Sequence, residues 1–108
     1  MAKGYWIVRI TVKDEAKYDA YRAINGEAFR KYGGRFLVRG GKYNNPLGAA
    51  RPRNVVIEFP SYQAAIDCYR SPEYQRAIAA RGDGAEIDHI TIEGYEGPQP
   101  TTGSQAPS

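Results

Sequence analysis

Residues 51–75, RPRNVVIEFPSYQAAIDCYRSPEYQ, hold the reading that decides the fold. Val55, Ile57 and Phe59 alternate with Val56 and Glu58, the two-residue period of a strand with unlike faces. Pro60 has no amide to give to a ladder and ends the strand. Ser61 supplies an N-cap for the helix that follows. Ser71-Pro72 stops that helix and starts another, with Ser71 as cap and Pro72 at the first helical position, where its missing N–H is not needed. The segment predicts a strand, a sharp turn and a helix broken in two.

Upstream, Tyr5 to Val12 reads as a strand, with Trp6, Val8, Ile10 and Val12 on an apolar face and Tyr5, Ile7, Arg9 and Thr11 on a mixed one. A helix from about Asp14 to Tyr32 has Tyr21, Ile24, Ala28 and Tyr32 as its inward stripe. Asn25-Gly26 interrupts that stripe and suggests a kink, because mid-helix glycine is disfavoured. Gly33-Gly34 ends the helix. A second strand runs from Arg35 to about Lys42, with Phe36 and Val38 on one side and Arg35, Leu37 and Arg39 on the other. Residues 42–52 are rich in turn formers and are expected to be a long, mobile hairpin connection.

Downstream, the broken helix turns Tyr62, Ala65, Ile66 and Tyr69 inward, then Tyr74, Ala77 and Ile78. Gly82-Asp83-Gly84 leads to a last strand from Ile87 to about Tyr95, read with Ile90 and Ile92 inward and His89, Thr91 and Glu93 outward. Residues 97–108 contain no large apolar side chain and are expected to be a disordered tail on a single domain of residues 1–96.

The order βαββαβ is the split-βαβ, ferredoxin-like arrangement of an α+β domain: a four-stranded antiparallel sheet with its helices on one face. Strands one and three are central, flanked by four and two. With the faces assigned above, the open side sets Arg39 beside Glu58 and His89 beside Arg9, among Ile7, Leu37 and Val56. A patch that mixes apolar groups with charge marks an interaction surface. A twofold homodimer, sheet against sheet, covers it and closes a dimeric α/β barrel. Arg9, Arg39, Glu58 and His89 are then the candidate ligand-binding residues, for a small acidic or oxygenated molecule in the barrel. Glu58 and His89 are the candidates for a general base. The alternative is a non-catalytic dimerisation, structural or stress-related module with no small-molecule substrate.

Several classes fall away. At 42% hydrophobic and 25% charged residues, the chain has the composition of a folded domain. A net charge of +3, dispersed along the sequence, is too small to predict nucleic-acid binding. The βαββαβ order also occurs in RNA-recognition modules, but strand three offers Val56 and Glu58 where such modules stack bases on aromatics, and Glu58 repels phosphate. No apolar run approaches the roughly 20 residues that span a bilayer, and the N-terminus lacks the apolar core of a signal peptide, so the expected location is cytoplasmic, without membrane partners. One cysteine, Cys68, excludes an internal disulfide and agrees with a reducing compartment. Cys68 sits toward a helix C-terminus, which favours packing over thiolate chemistry. One cysteine and one histidine make no standard zinc site, so no metal is expected. The glycine pairs fit neither the dinucleotide fingerprint nor the P-loop, and no cofactor is expected.

Three blocks in order, YGGRFLVRGG (Tyr32 to Gly41), VVIEFPS (Val55 to Ser61) and CYRSPEYQ (Cys68 to Gln75), resemble the signature of the domain-of-unknown-function family 1330 in the dimeric α/β barrel superfamily. The resemblance spans residues 4 to about 98. It implies a ferredoxin-like fold and a dimer whose two sheets face each other, and it implies no activity. Two positions depart from the family pattern: Cys68 stands where tryptophan is usual, and Leu47-Gly48 where Glu-Gly is frequent. Superfamily relatives include haem-degrading monooxygenases, lactone isomerases and polyketide-type cyclases, an analogy of fold alone.

Overall fold

A computed structural model describes residues 2–100; Met1 and residues 101–108, which hold most of the expected tail, lie outside the described residues. The elements are β1 (Gly4–Val12), α1 (Glu15–Tyr32), β2 (Arg35–Arg39), β3 (Arg53–Phe59), α2 (Tyr62–Arg70), α3 (Pro72–Arg81) and β4 (Ala85–Glu93). The order is βαββααβ, a ferredoxin-like fold whose second helix is in two pieces. The sheet runs β2-β3-β1-β4, antiparallel at every join.

The local signals act as their chemistry demands. The Asp14 carboxylate accepts the Lys17 amide at the start of α1, and Gly33 closes that helix in the left-handed conformation at φ 76°. Ser61 caps α2 by accepting the Ala64 amide. Ser71 caps α3 by accepting the Tyr74 amide at 3.1 Å and donates to the Cys68 carbonyl at 2.7 Å, so the helix break leaves the buried serine hydroxyl satisfied.

Trp6 organises the core. Its indole meets Phe29, Phe59 and Tyr74 with centroids 5.5, 5.1 and 4.9 Å away, and its Nε1–H donates to the Ala65 carbonyl at 2.9 Å. Around it lie Val8, Ile10, Val55, Ile57, Ala28, Ala77 and Cys68, all buried. Burial pushes the Cys68 thiol up to about 12, the state of a packing residue rather than a nucleophile.

Face assignments differ from the sequence reading in four elements, and in α2 Ala65 and Cys68 are buried while Tyr62 and Tyr69 are exposed. In α1 the buried stripe is Tyr18, Tyr21, Asn25, Ala28 and Phe29, while Ile24 is 41% exposed. In β4 the inward residues are Ala85, Ile87, His89 and Thr91, because β4 pairs Val8 with His89 and Ile10 with Ile87. Ile90 and Ile92 therefore stand on the open face, 54% and 45% exposed. Strand β4 is apolar on both sides, so alternation alone leaves its phase open. In β2 the register slips between Phe36 and Val38, making Leu37 the extra residue of a β-bulge. Phe36 still faces the helices, edge-on to Phe29, but Val38 now pairs with Val56 on the open side and Arg39 with Val55 on the helix side.

No helix among the described residues is long and apolar enough to cross a membrane.

Candidate functional site

The four expected ligand residues do not come together. Glu58 and Arg9 lie on the open face, and Arg39 and His89 lie on the helix side, in separate places.

On the open face Glu58 pairs across the ladders with Tyr5 and with Arg35, not with Arg39. Its carboxylate accepts the Arg35 Nε–H at 2.9 Å and the Tyr5 hydroxyl at 3.0 Å. The hydrogen bond from Arg35, then that from Tyr5, hold Glu58 below the usual carboxylate range. Arg9 faces Asp88 across the β1–β4 ladder rather than His89, and its Nη2 donates to the Ala49 carbonyl at 2.9 Å. Arg51 bonds Asp88 at 2.8 Å and the Thr11 hydroxyl at 3.0 Å. Arg9 and Arg51 thus tie the end of the 40–52 connection to one end of the open face. Between these polar ends runs an apolar row: Val38 pairs with Val56, Val56 with Ile7, and Ile7 with Ile90, one residue from each strand.

Arg39 belongs to a different site. The β2 bulge carries it to the helix side, where its guanidinium stacks 4.2 Å from the Phe36 ring centroid. Arg53 opens β3 opposite Ile10, on the same side, with its guanidinium 5.9 Å from the Tyr18 ring. Gly40 makes room for it: at φ 67° this residue is left-handed, and a Cβ there would stand 2.8 Å from the Arg53 guanidinium. Arg22 and Asn25 of α1 complete a pocket of about 30 Å³ between helix and sheet, floored by Val8, Ile10, Val55 and Ile57. Asn25 is buried in mid-helix. A broad groove of about 740 Å³ adjoins this pocket and shares Arg22, Asn25, Phe36 and Arg39 with it.

The electrostatics of this site are unbalanced. Its two carboxylates are already engaged, Glu27 by Arg76 at 2.7 Å and Glu73 by Lys31 at 2.9 Å. Arg30, Arg39 and Arg53 form no ion pair among the described residues. The Arg53 Nε–H is buried and has no hydrogen-bond partner among them. A buried donor without a partner is costly, and a charged one more so. Beneath the pocket the Tyr21 and Tyr74 hydroxyls share a 2.5 Å hydrogen bond. Burial raises the pKa of both tyrosines above the ordinary phenol value, so both stay protonated at neutral pH.

His89 stands apart, under α2. Its ring centroid is 4.6 Å from Trp6 and 5.1 Å from Tyr69, and its Nε2 is buried without a partner among the described residues. Burial, reinforced by Arg81, lowers its pKa to about 4 and keeps the imidazole neutral at pH 7. No group of three or more His, Cys, Asp or Glu positioned to hold a metal occurs among the described residues.

Arg22, Asn25 and Arg53 are the site residues the sequence reading passed over. Arg53 had a signal: it lies two residues before Val55, on the buried parity of β3. Asn25 had one too, four residues after Tyr21 on the stripe that starts at Tyr18.

No curated protein matches the chain. Among solved structures, a protein of unknown function from Rhodopseudomonas palustris superposes with a TM-score of 0.72 at 17% identity, covering 89% of this chain and 85% of that one. SnoaB, a cofactor-independent oxygenase from Streptomyces nogalater, gives 0.59 at 14% identity over 90% and 97%. A candidate antibiotic biosynthesis monooxygenase from Caulobacter crescentus gives 0.61 at 12% identity over 88% and 92%. At these identities the likeness shows a shared fold. The family profile described as Domain of unknown function (DUF1330) matches residues 3–95, nearly the whole described fold, and the chain belongs to that family.

Proposed function

We propose that this protein is a homodimeric α/β barrel that binds a small acidic molecule between α1 and the β2–β3 edge. The observation that carries the ligand is Arg53. Its Nε–H is buried beside Arg39 and Arg22 with no partner among the described residues, and a carboxylate or similar oxyanion is the group that would satisfy it. Guanidinium groups bind such oxygens in pairs with defined geometry. The 30 Å³ pocket admits the anionic group, and the larger groove has room for the rest of the molecule. The dimer is supported by the Val38–Val56–Ile7–Ile90 row, since burying each of these side chains contributes about 1.5–3 kcal/mol.

The experiment is native mass spectrometry of the freshly purified protein, with Arg53→Met alongside. A dimer carrying a reproducible added mass that the variant lacks supports both parts. A bare dimer whose Asn25, Arg39 and Arg53 resonances do not move with millimolar benzoate overturns the ligand. A monomer at micromolar concentration overturns the assembly. The second reading, an assembly module without a ligand, is favoured by Glu58: its two hydrogen bonds leave the open face a register-setting surface rather than a binding one.

A further inference from the structure

We propose that the groove between α2 and β4 is a second binding site, separate from the arginine pocket, and that it takes a planar phenolic molecule. The groove measures about 360 Å³ and is lined by Ile66, Tyr69, Arg70, His89 and Thr91. That exceeds the roughly 150 Å³ in which an apolar cavity holds a benzene ring. Its walls favour a flat ring. The Tyr69 and His89 rings stand at 86° to each other with centroids 5.1 Å apart, and Trp6 backs both, 4.6 Å from His89 and 6.0 Å from Tyr69. A ring laid on one wall therefore meets the edge of the other, and both contacts are favourable aromatic geometries.

The polar groups select a hydroxyl. His89 is neutral at pH 7, so its two nitrogens offer one N–H and one lone pair. Nε2 is buried with no partner among the described residues, and a half-turn of the ring exchanges it with Cε1. A phenolic O–H can donate to the free nitrogen or accept from the N–H, whichever tautomer is present. The Thr91 hydroxyl offers a second hydrogen bond, and Arg70 forms no ion pair among the described residues. A carboxylate would have to be desolvated against Ile66 and the aromatic walls with Arg70 as its one cation. The arginine pocket is the better carboxylate site.

The test is an amide-resolved NMR titration of the full chain with three probes: p-cresol, toluene and benzoate. The expected result is that p-cresol moves the Tyr69, Arg70, His89 and Thr91 resonances with at least fivefold higher affinity than toluene. His89→Phe, a shape-preserving change, should retain the dispersed spectrum and abolish that preference, and Thr91→Val should reduce it. Equal binding of p-cresol and toluene, no movement at these residues, or movement at Asn25 and Arg39 instead would each overturn the proposal. Benzoate reports the other site: its failure to move Asn25, Arg39 and Arg53 counts against the acidic ligand alone, whatever p-cresol does.

Discussion

The imidazole of His89 lies 4.6 Å from the indole of Trp6, centroid to centroid, and Trp6 is the chain's single tryptophan. The pair is a built-in reporter of the histidine's charge, because an imidazolium quenches indole emission and a neutral imidazole does so far less. His89 titrates at about 4 in the folded protein against 6.5 unfolded. Between those values the unfolded chain binds the proton and the folded one does not, so stability rises with pH across this window. The contribution is complete above pH 6.5 and is lost as pH falls toward 4, at most roughly 3 kcal/mol. Glu58, Glu73, Asp83 and Asp88 are all held low by hydrogen bonds from Arg35, Lys31, Lys17 and Arg51, and their share is lost as pH falls through the ordinary carboxylate range and below it. Urea melts from pH 7 to 4 should show the slope, and His89→Phe should flatten it between about 6.5 and 5, above the range where the carboxylates contribute. Trp6 emission of the folded protein should fall near pH 4; a fall centred at 6.5 would place His89 in water.

Arg53 separates stability from binding. Its Nε–H lacks a partner among the described residues, so replacing the side chain with an apolar one of similar length removes a desolvation cost. Arg53→Met should melt no lower than the parent, and up to about 1–2 kcal/mol more stable, while weakening a bound carboxylate at least tenfold. Arg39→Ala, whose guanidinium lies over Phe36, should weaken it by a similar factor. Calorimetry with benzoate and thermal melts check both; a clear loss of stability in Arg53→Met would mean that the buried nitrogen has a partner in solution.

These residues also mark where the sequence was legible. The strand order, the caps at Asp14, Ser61 and Ser71, and the break at Pro72 are local chemistry and could be read directly. The phase of β4 could not, because Ile87 lies on one face and Ile90 and Ile92 on the other, and pairing with β1 decides between them. Arg39 was misplaced for a sharper reason. A single extra residue at Leu37 reverses the face of everything after it, and Phe36-Leu37-Val38 is uniformly apolar, so its alternation cannot register the slip. Arg39 and His89 therefore sit on the helix side in two separate places, while Arg9 and Glu58 stay on the open face.

Ile7 is the centre of the open face, flanked by Val56 on β3 and Ile90 on β4, and it is 38% exposed in the single chain. A charge there costs the monomer little, and in the proposed dimer it would face its own kind across the twofold axis. Ile7→Asp should convert the dimer to a folded monomer at tens of micromolar by light scattering, with near-native circular dichroism. Persistence of the dimer would show that another surface holds the two copies together. Glu58→Gln should leave benzoate binding unchanged, since Glu58 is engaged by Tyr5 and Arg35 and lies across the sheet from the arginine pocket.

Gly4 tests how closely β1 and the start of α2 must approach. A Cβ at this position would stand 2.5 Å from the Ser61 carbonyl oxygen and 2.6 Å from the Tyr62 Cα. Both are backbone atoms, and Ser61 is fixed by its own bond to the Ala64 amide. The helix cannot yield by a rotamer change, so Gly4→Ala has to push α2 away from the sheet. The shift would disturb the Trp6 bond to the Ala65 carbonyl, one turn into the same helix. An expected cost of about 1–3 kcal/mol follows, the range of overpacking in a filled interior. Gly41→Ala is the matched control, because nothing lies within 4 Å of its added carbon. It should be neutral, or up to about 1 kcal/mol stabilising through the reduced freedom of the unfolded chain. Equal urea midpoints for the two variants would show that β1 and α2 are not in contact at Gly4 in solution.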